Sequence, residues 1–232
     1  MMRVARFGYR KPFVYAIVGV LCIATMASCG IDTIAYLSEM PTVQSRDESA
    51  LVFKGPSIAD DNYYGVFIFY KIYASDAAAS SDLNALESRQ NADNAVPGSN
   101  VESFLVSTSG LDYQQAVLTN NLSIPTLDKE IIDSNLASIT FASASNVEPT
   151  LTVDNVPLEL RRSSLSSSGT YLSFLDEPQA GNIDYKSSES DVDENIYYIQ
   201  FFAASYGLDL SDLSELYGDA VYLGRITQYF LN

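Results

Sequence analysis

Two stretches of the chain carry apolar side chains on both sides of a two-residue repeat, and they fix the reading of everything between them. In Tyr63-Tyr64-Gly65-Val66-Phe67-Ile68-Phe69-Tyr70-Lys71-Ile72-Tyr73, alternation places Val66, Ile68, Tyr70 and Ile72 on one face and Phe67, Phe69 and Tyr73 on the other. The same density recurs in Ile196-Tyr197-Tyr198-Ile199-Gln200-Phe201-Phe202-Ala203-Ala204. A run apolar on both faces is a central strand covered from both sides, and the aromatic and β-branched content favours strand over buried helix. The two are expected to be neighbours in one sheet. Shorter strands are predicted near residues 51–53, at 101–107, 137–142, 150–153, 156–161, 171–175 and 220–226. Asp154-Asn155 sits between two of them and suits a tight turn, since both residues tolerate positive φ. A short helix is predicted at 82–87 with Ser81 as its cap, and another at 209–217. There Leu210, Leu213 and Leu216 or Tyr217 recur at helical spacing, Asp209 or Ser211 caps the start and Gly218 marks the end.

Many short strands, few helices and no βαβ rhythm predict an all-β antiparallel sandwich. Between the two strong strands lie residues 74–195, rich in Ser, Ala, Asp and Asn, which read as long insertions within one domain spanning 49–232. No internal repeat is visible.

The first 28 residues follow another pattern. Arg3, Arg6, Arg10 and Lys11 form a basic segment without acids, followed by an uncharged run at 13–26. Fourteen residues fall short of the roughly 20 a spanning helix needs, so residues 1–28 read as a signal peptide. Met26-Ala27-Ser28-Cys29 then fits a lipobox, with small residues before a cysteine, although Met is less usual than Leu at the first position. Cys29 is therefore the expected lipid-attachment residue, and residues 29–48 the expected lipidated tether. This predicts an extracytoplasmic protein of a bacterial cell envelope, anchored to a membrane by acyl chains. The chain has two cysteines, and Cys22 lies within the signal, so no disulfide partner remains for Cys29.

Charge narrows the partners. Of 13 basic residues four leave with the signal, so nine face 29 acids, a formal −20. Such a surface repels phosphate and excludes nucleic acid as a partner. It would also be repelled by anionic lipid headgroups.

Chemistry is narrowed by what is missing. The sequence contains no histidine, which removes Ser-His-Asp and His-metal sites in their usual form. No phosphate-binding glycine loop occurs, and Lys54, Lys71, Lys129 and Lys186 sit in no Ser-Lys motif. No catalytic residue, cofactor or metal site is expected. Glu189, Asp191, Asp193 and Glu194 could offer oxygen ligands to calcium but lack loop spacing and a central glycine, and read as a solvated charge run. Tyrosine is abundant, with 16. Tyr63, Tyr64, Tyr206, Tyr217 and Tyr222 are candidates for a recognition surface, against the plainer reading of β propensity and core packing. The 206–219 connection is the element expected to bind a partner, against the plainer reading that Leu210, Leu213 and Leu216 cap the bottom of the core.

A resemblance follows from particular residues. Cys29-Gly30-Ile31-Asp32-Thr33-Ile34-Ala35-Tyr36-Leu37, Gly65-Val66-Phe67-Ile68-Phe69-Tyr70-Lys71-Ile72-Tyr73, residues 197–208 and Ala220-Val221-Tyr222-Leu223-Gly224-Arg225-Ile226 are similar to a group of spirochaetal (treponeme-type) lipoproteins of unknown function. The resemblance covers the two ends, about a third of the chain, and implies lipidation at Cys29 but no activity. Ile34-Ala35 stands where that group would have aromatics, and the middle, 74–195, matches nothing in it. The two strong strands also resemble strands C and F of a fibronectin type III-like or immunoglobulin-like sandwich, which lie side by side in one sheet. The functions expected are a non-catalytic surface interaction module with an unidentified protein partner, a structural envelope lipoprotein without a soluble ligand, or a small-ligand carrier.

Overall fold

The computed structural model describes residues 36–47, 49–93, 95–119, 125–141, 149–187 and 196–229. In chain order the strands are β1 (Thr42–Asp47), β2 (Ala50–Lys54), β3 (Tyr63–Tyr73), β4 (Gln114–Gln115), β5 (Val117–Leu118), β6 (Leu127–Asp128), β7 (Leu136–Thr140), β8 (Thr150–Val153), β9 (Val156–Arg161), β10 (Tyr185–Lys186), β11 (Ile196–Leu208), β12 (Glu215–Tyr217) and β13 (Val221–Tyr229). Helices are α1 (Asp76–Gln90), a π-helical turn (Val101–Leu105) and α2 (Lys129–Ile132).

Strand β3 does what its alternation requires. It pairs antiparallel with β11 along nearly its whole length, from Tyr73 opposite Tyr198 to Tyr63 opposite Gly207. Val66, Ile68, Tyr70 and Ile72 enter one hydrophobic cluster, and Phe67, Phe69 and Tyr73 enter another on the opposite face. The other edge of β11 takes β13 and, beyond it, β12. The outer edge of β3 takes three short strands in turn: β6 at Gly65 and Val66, β4 at Phe69 and Tyr70, and β10, parallel, at Ile72 and Tyr73. Gly65 has a functionless look in sequence but a clear reason here. With φ of +151°, a Cβ at this position would stand 2.1 Å from the Leu127 carbonyl oxygen.

The second sheet runs β1-β2-β7-β8-β9-β5. Its inward residues, among them Leu51, Phe53, Ile139, Leu151 and Leu160, meet the first face of β3 and β11 to form the inter-sheet core. The fold is thus an all-β sandwich, and residues 36–232 form one compact unit. The order β3-β11-β13 reproduces the C-F-G half of an immunoglobulin-like sandwich. The other sheet departs from it. An immunoglobulin sheet reads A-B-E-D, whereas here β7, β8 and β9 run outward from β2 in chain order as a meander.

The β8–β9 turn forms as expected, with Asp154 at φ +47° and Asn155 at +66°. Several expectations are corrected. The sandwich starts before residue 49: β1 already pairs with β2, and Leu37 is buried, so no free tether extends to residue 48. The helix expected at 82–87 runs from Asp76 to Gln90, and its cap is Ser75, whose hydroxyl accepts from the Ala78 N–H at 3.3 Å. Residues 101–105 form a π-helical turn instead of a strand, because Val101 and Leu105 can then both bury against the outer face of β3 and β11. At 171–175 only Tyr171 bridges, to Leu165. Phe174 instead plugs the inter-sheet core from a turn that Asp176 closes on the Ser173 N–H at 2.7 Å.

The expected helix at 209–217 is a hairpin. Asp209 Oδ1 accepts from the Ser211 N–H and Asp212 Oδ1 from the Ser214 N–H, so side chains capture the donors a helix would use. Leu213 adopts φ +64°, and residues 215–217 pair back onto β11. No helix among the described residues is long and apolar enough to cross a membrane.

Candidate functional site

In the 206–219 connection expected from sequence to bind a partner, the tyrosines are not the exposed groups. Tyr206 is buried, its ring edge-on to Phe67, and Tyr217 is half-buried with its hydroxyl donating to Glu215. The Leu37 N–H donates to the Tyr217 carbonyl, so the connection lies beside the start of the described chain. Tyr63 is buried, Tyr222 is half-buried under Arg46, and Tyr64 is exposed. The Tyr206 and Tyr217 rings stand 5.6 Å apart, but the five tyrosines together present no common exposed face. Cys29 and the acids Glu189, Asp191, Asp193 and Glu194 lie outside the described residues. Among the described residues no three His, Cys, Asp or Glu side chains gather to hold a metal.

The structure assembles a different site at the opposite end, where β3 ends at Tyr73 and β9 ends at Arg161. Beyond β9 the chain makes an excursion of 25 residues, 162–186, that ends at β10. Its base is a buried ionic clamp. Arg162 and Asp184 are both fully buried. Arg162 Nε donates to Asp184 Oδ2 at 2.7 Å, and its NH2 group to Asp184 Oδ1 at 2.8 Å. The same guanidinium reaches the Asp176 carbonyl at 2.9 Å and Asn182 Oδ1 at 3.0 Å. The Tyr70 hydroxyl donates to Asp184 Oδ2 at 2.6 Å and accepts from the Ser163 N–H at 2.8 Å. Both ends of the excursion are thus fastened to one residue of the central strand.

The electrostatics agree with the geometry. Burial alone would raise the Asp184 carboxyl, but the hydrogen bonds and charge of Arg162, with the bond from Tyr70, hold it below the usual carboxylate range. Burial, reinforced by the Asp184 charge, pushes the Tyr70 phenol well up, so it stays a donor. A paired, fully hydrogen-bonded buried charge of this kind is tolerated, whereas a half-satisfied one would not be.

What the clamp holds in place is apolar and exposed. Leu165, Tyr171 and Ile183 all project into solvent from the excursion. Beside Tyr171 opens a cleft of about 620 Å³ bordered by Thr119, Arg161, Thr170, Ser173 and Asp176. This lies within the roughly 300–1,000 Å³ of ligand pockets. Its rim mixes one aromatic face, hydroxyls and charges of both signs. Such a mixture of groups suits recognition by hydrogen bonds and stacking.

Sequence reasoning missed this site. Arg162 and Asp184 are separated by 22 positions and neither belongs to a motif. The available signal was an arginine directly following a strand, in a chain with few cations, and a tyrosine in the middle of an otherwise apolar face of β3.

A second polar cluster lies on the outer face of β3. Tyr73 donates to Asp82 Oδ2 at 2.9 Å and stands 2.8 Å from the Tyr113 hydroxyl; Asp82 also pairs with Lys186. Lys71, buried beside Tyr113, donates to the Leu111 carbonyl, and burial lowers its pKa. Gln200, opposite Lys71 on β11, is fully buried, and neither its amide oxygen nor its nitrogen has a hydrogen-bond partner. The cluster lies beneath α1 and against Tyr113, with the Lys186 side chain half-exposed at its edge.

No family model, curated protein or solved structure matches the chain.

Proposed function

We propose that this protein is a bacterial lipoprotein of the spirochaetal type that its sequence resembles, held at an extracytoplasmic membrane surface by acyl chains on Cys29. It acts there as a non-catalytic module that engages a protein partner through the 162–186 excursion. The observation that carries this reading is the pairing of a buried clamp with an exposed apolar display. Burying Arg162 and Asp184 is a costly way to stabilise a fold. It is an effective way to hold a loop still, and a loop held still loses little entropy when a partner docks. Leu165, Tyr171 and Ile183 supply the apolar and aromatic contacts that protein interfaces concentrate at their centres.

A photo-crosslinking side chain at position 171 tests this on intact cells, with position 87 on the exposed side of α1 as control. A discrete protein adduct at 171 and none at 87 is expected; identical patterns at the two positions would sink the reading. The anchor is tested separately. Cys29→Ala should abolish acylation and partition of the protein into the detergent phase, and unchanged partition after signal removal would refute it. A second reading, a small-ligand carrier, draws on the cleft beside Tyr171, and would be favoured if the crosslink at 171 yielded only a small adduct.

A further inference from the structure

We infer that the end of the sandwich opposite the clamp rests directly on the lipid bilayer, with the β11–β12 hairpin tip dipped into the interface. The inference rests on the lipid anchor proposed above, and adds a second membrane contact to it.

The argument begins with where exposed apolar side chains lie. Strand registers sort them into two groups. Leu165, Tyr171 and Ile183 stand on the clamped excursion. At the other end, Tyr64 opens β3, Leu136 opens β7 opposite Lys54, Val156 opens β9, and Leu210 and Leu213 occupy the hairpin tip. Hydrogen bonds join the elements of this second group. The Leu208 N–H donates to the Asn62 carbonyl, the Lys129 ammonium to the neighbouring Asp60 carbonyl, the Gly55 N–H to Asn135, the Ser134 N–H to Pro56 and the Asp154 N–H to Leu136. They are therefore neighbours at one end of the body.

The hairpin tip is the sharpest feature. Leu210 is 57% exposed and Leu213 72%. Leu213 also sits in the left-handed region at φ +64°, where an ordinary side chain costs about 1–2 kcal/mol and Gly or Asn is the usual choice. The turn is made rigid by Asp209 and Asp212, whose carboxylates accept from the Ser211 and Ser214 N–H groups at 2.8 and 2.9 Å. A stiff turn that presents two leucines to water gains nothing for the fold. It gains apolar transfer energy at a membrane interface, where such side chains insert about 5–10 Å. Tyr64 and Tyr36 on the same end are suited to the headgroup level, where tyrosine concentrates.

Chain length selects a bilayer over other occupants. Tyr36 begins the described body at this end, since Leu37 bonds to Tyr217 and packs in the core. Cys29 precedes Tyr36 by seven positions. Fully extended, seven residues reach about 25 Å, while the 13-residue β11 alone is about 43 Å long. An acyl chain on Cys29 thus keeps this end close to the membrane. The carboxylates at this end, among them Asp60, Asp61, Glu130, Asp133, Asp154, Asp209 and Asp212, outnumber Lys54 and Lys129. The contact therefore suits zwitterionic lipid, and the insertion is apolar instead of electrostatic.

The mature chain offers a clean test because, with Cys22 removed and Cys29 acylated, it has no other thiol. Nitroxide labels on Leu213→Cys, Val156→Cys and Tyr171→Cys are placed in the full mature protein, reconstituted in phosphatidylcholine–phosphatidylethanolamine vesicles. The mass of the Cys29 peptide is measured on the same samples. The labels at 213 and 156 should lose collisions with a water-soluble nickel chelate and gain them with oxygen, and the label at 171 should show neither change. Labels at 213 and 156 as open to nickel as that at 171 would overturn the seating while leaving the anchor intact. Shielding of both from nickel and oxygen alike would indicate a protein contact and overturn it too. An unacylated Cys29 would remove the anchor and the seating together, and the mass identifies that case.

Discussion

Two adjacent residues of β3 lead to two buried polar clusters with opposite character. Tyr70 faces the inter-sheet core and joins Arg162, Asp184 and the Ser163 N–H, in a clamp whose charges are paired and multiply bonded. Lys71 faces the outer layer, beneath α1, next to Gln200, whose amide finds no partner. Both clusters take polar groups out of water. One pairs both of the charges it buries and leaves only the Ser164 hydroxyl unbonded, and the other leaves a whole amide without a partner. The satisfied cluster fixes a long excursion and its exposed apolar residues. The unsatisfied one underlies a helix that buries Ala79 and Leu86, with Ala78 and Leu83 partly covered, and the paired Asp82. Ion pairs also tie α1 down, Asp82 to Lys186 and Asp76 to Arg225.

The largest effect should come from opening the clamp. Asp184→Ala leaves the Arg162 guanidinium buried and unpaired, which typically costs about 3–5 kcal/mol. In a domain of this size that lowers Tm by roughly 6–20 °C. Replacing the pair together, with Arg162→Met and Asp184→Leu, should restore most of the loss while loosening the excursion. A loss below about 1 kcal/mol in the single variant, measured by urea unfolding, would show that the two clusters do not differ as described.

Acid should single out the same group. Asp184 has its carboxyl held below the usual range when folded. Its contribution is complete above the unfolded value of about 3.9 and is lost as pH falls from there through the depressed folded value. The wild type should therefore lose stability over this window, and Asp184→Ala should show a shallower acid limb. Parallel limbs would place the acid sensitivity elsewhere.

How much of this was legible depended on whether a feature was local. The alternation of Val66, Ile68, Tyr70 and Ile72 against Phe67, Phe69 and Tyr73 is a period-two signal, and it predicted both faces correctly, as did the Asp154-Asn155 turn. Competition between local signals misled the reading at 209–217. Leucine spacing suggested a helix, but Asp209 and Asp212 accept backbone N–H groups and turn the chain. Packing overrode propensity at 101–105, where Val101 and Leu105 meet the outer face through a π-helical turn. The clamp was invisible for a further reason: Arg162, Asp184 and Tyr70 meet only through tertiary structure, and the pair Arg161-Arg162 before a serine run reads as surface.

A smaller effect, of opposite sign, is expected in the outer layer. Gln200→Met keeps the volume of the side chain while removing a buried amide without partners, a burden of about 1–3 kcal/mol in proteins. The variant should gain about 1 kcal/mol, read as a higher denaturant midpoint at unchanged slope. A loss of more than about 1 kcal/mol would mean that the amide is satisfied after all, and that the contrast between the clusters is false.

The smallest effect is expected at Tyr171, and its smallness matters. An aromatic residue truncated in a core costs about 3–5 kcal/mol. Tyr171 is exposed, and its segment is held by bonds that do not involve its ring: Arg162 N–H to the Leu172 carbonyl at 2.9 Å, Leu172 N–H to Ser164 at 2.9 Å, and the clamp below. Tyr171→Ala should therefore change stability by less than about 0.5 kcal/mol, the range of ordinary surface substitutions, while reducing partner capture by the excursion. A large stability loss would make Tyr171 part of the clamp's packing. The excursion would then be a structural cover for the sandwich end, with its rigidity serving the fold and no surface left for recognition.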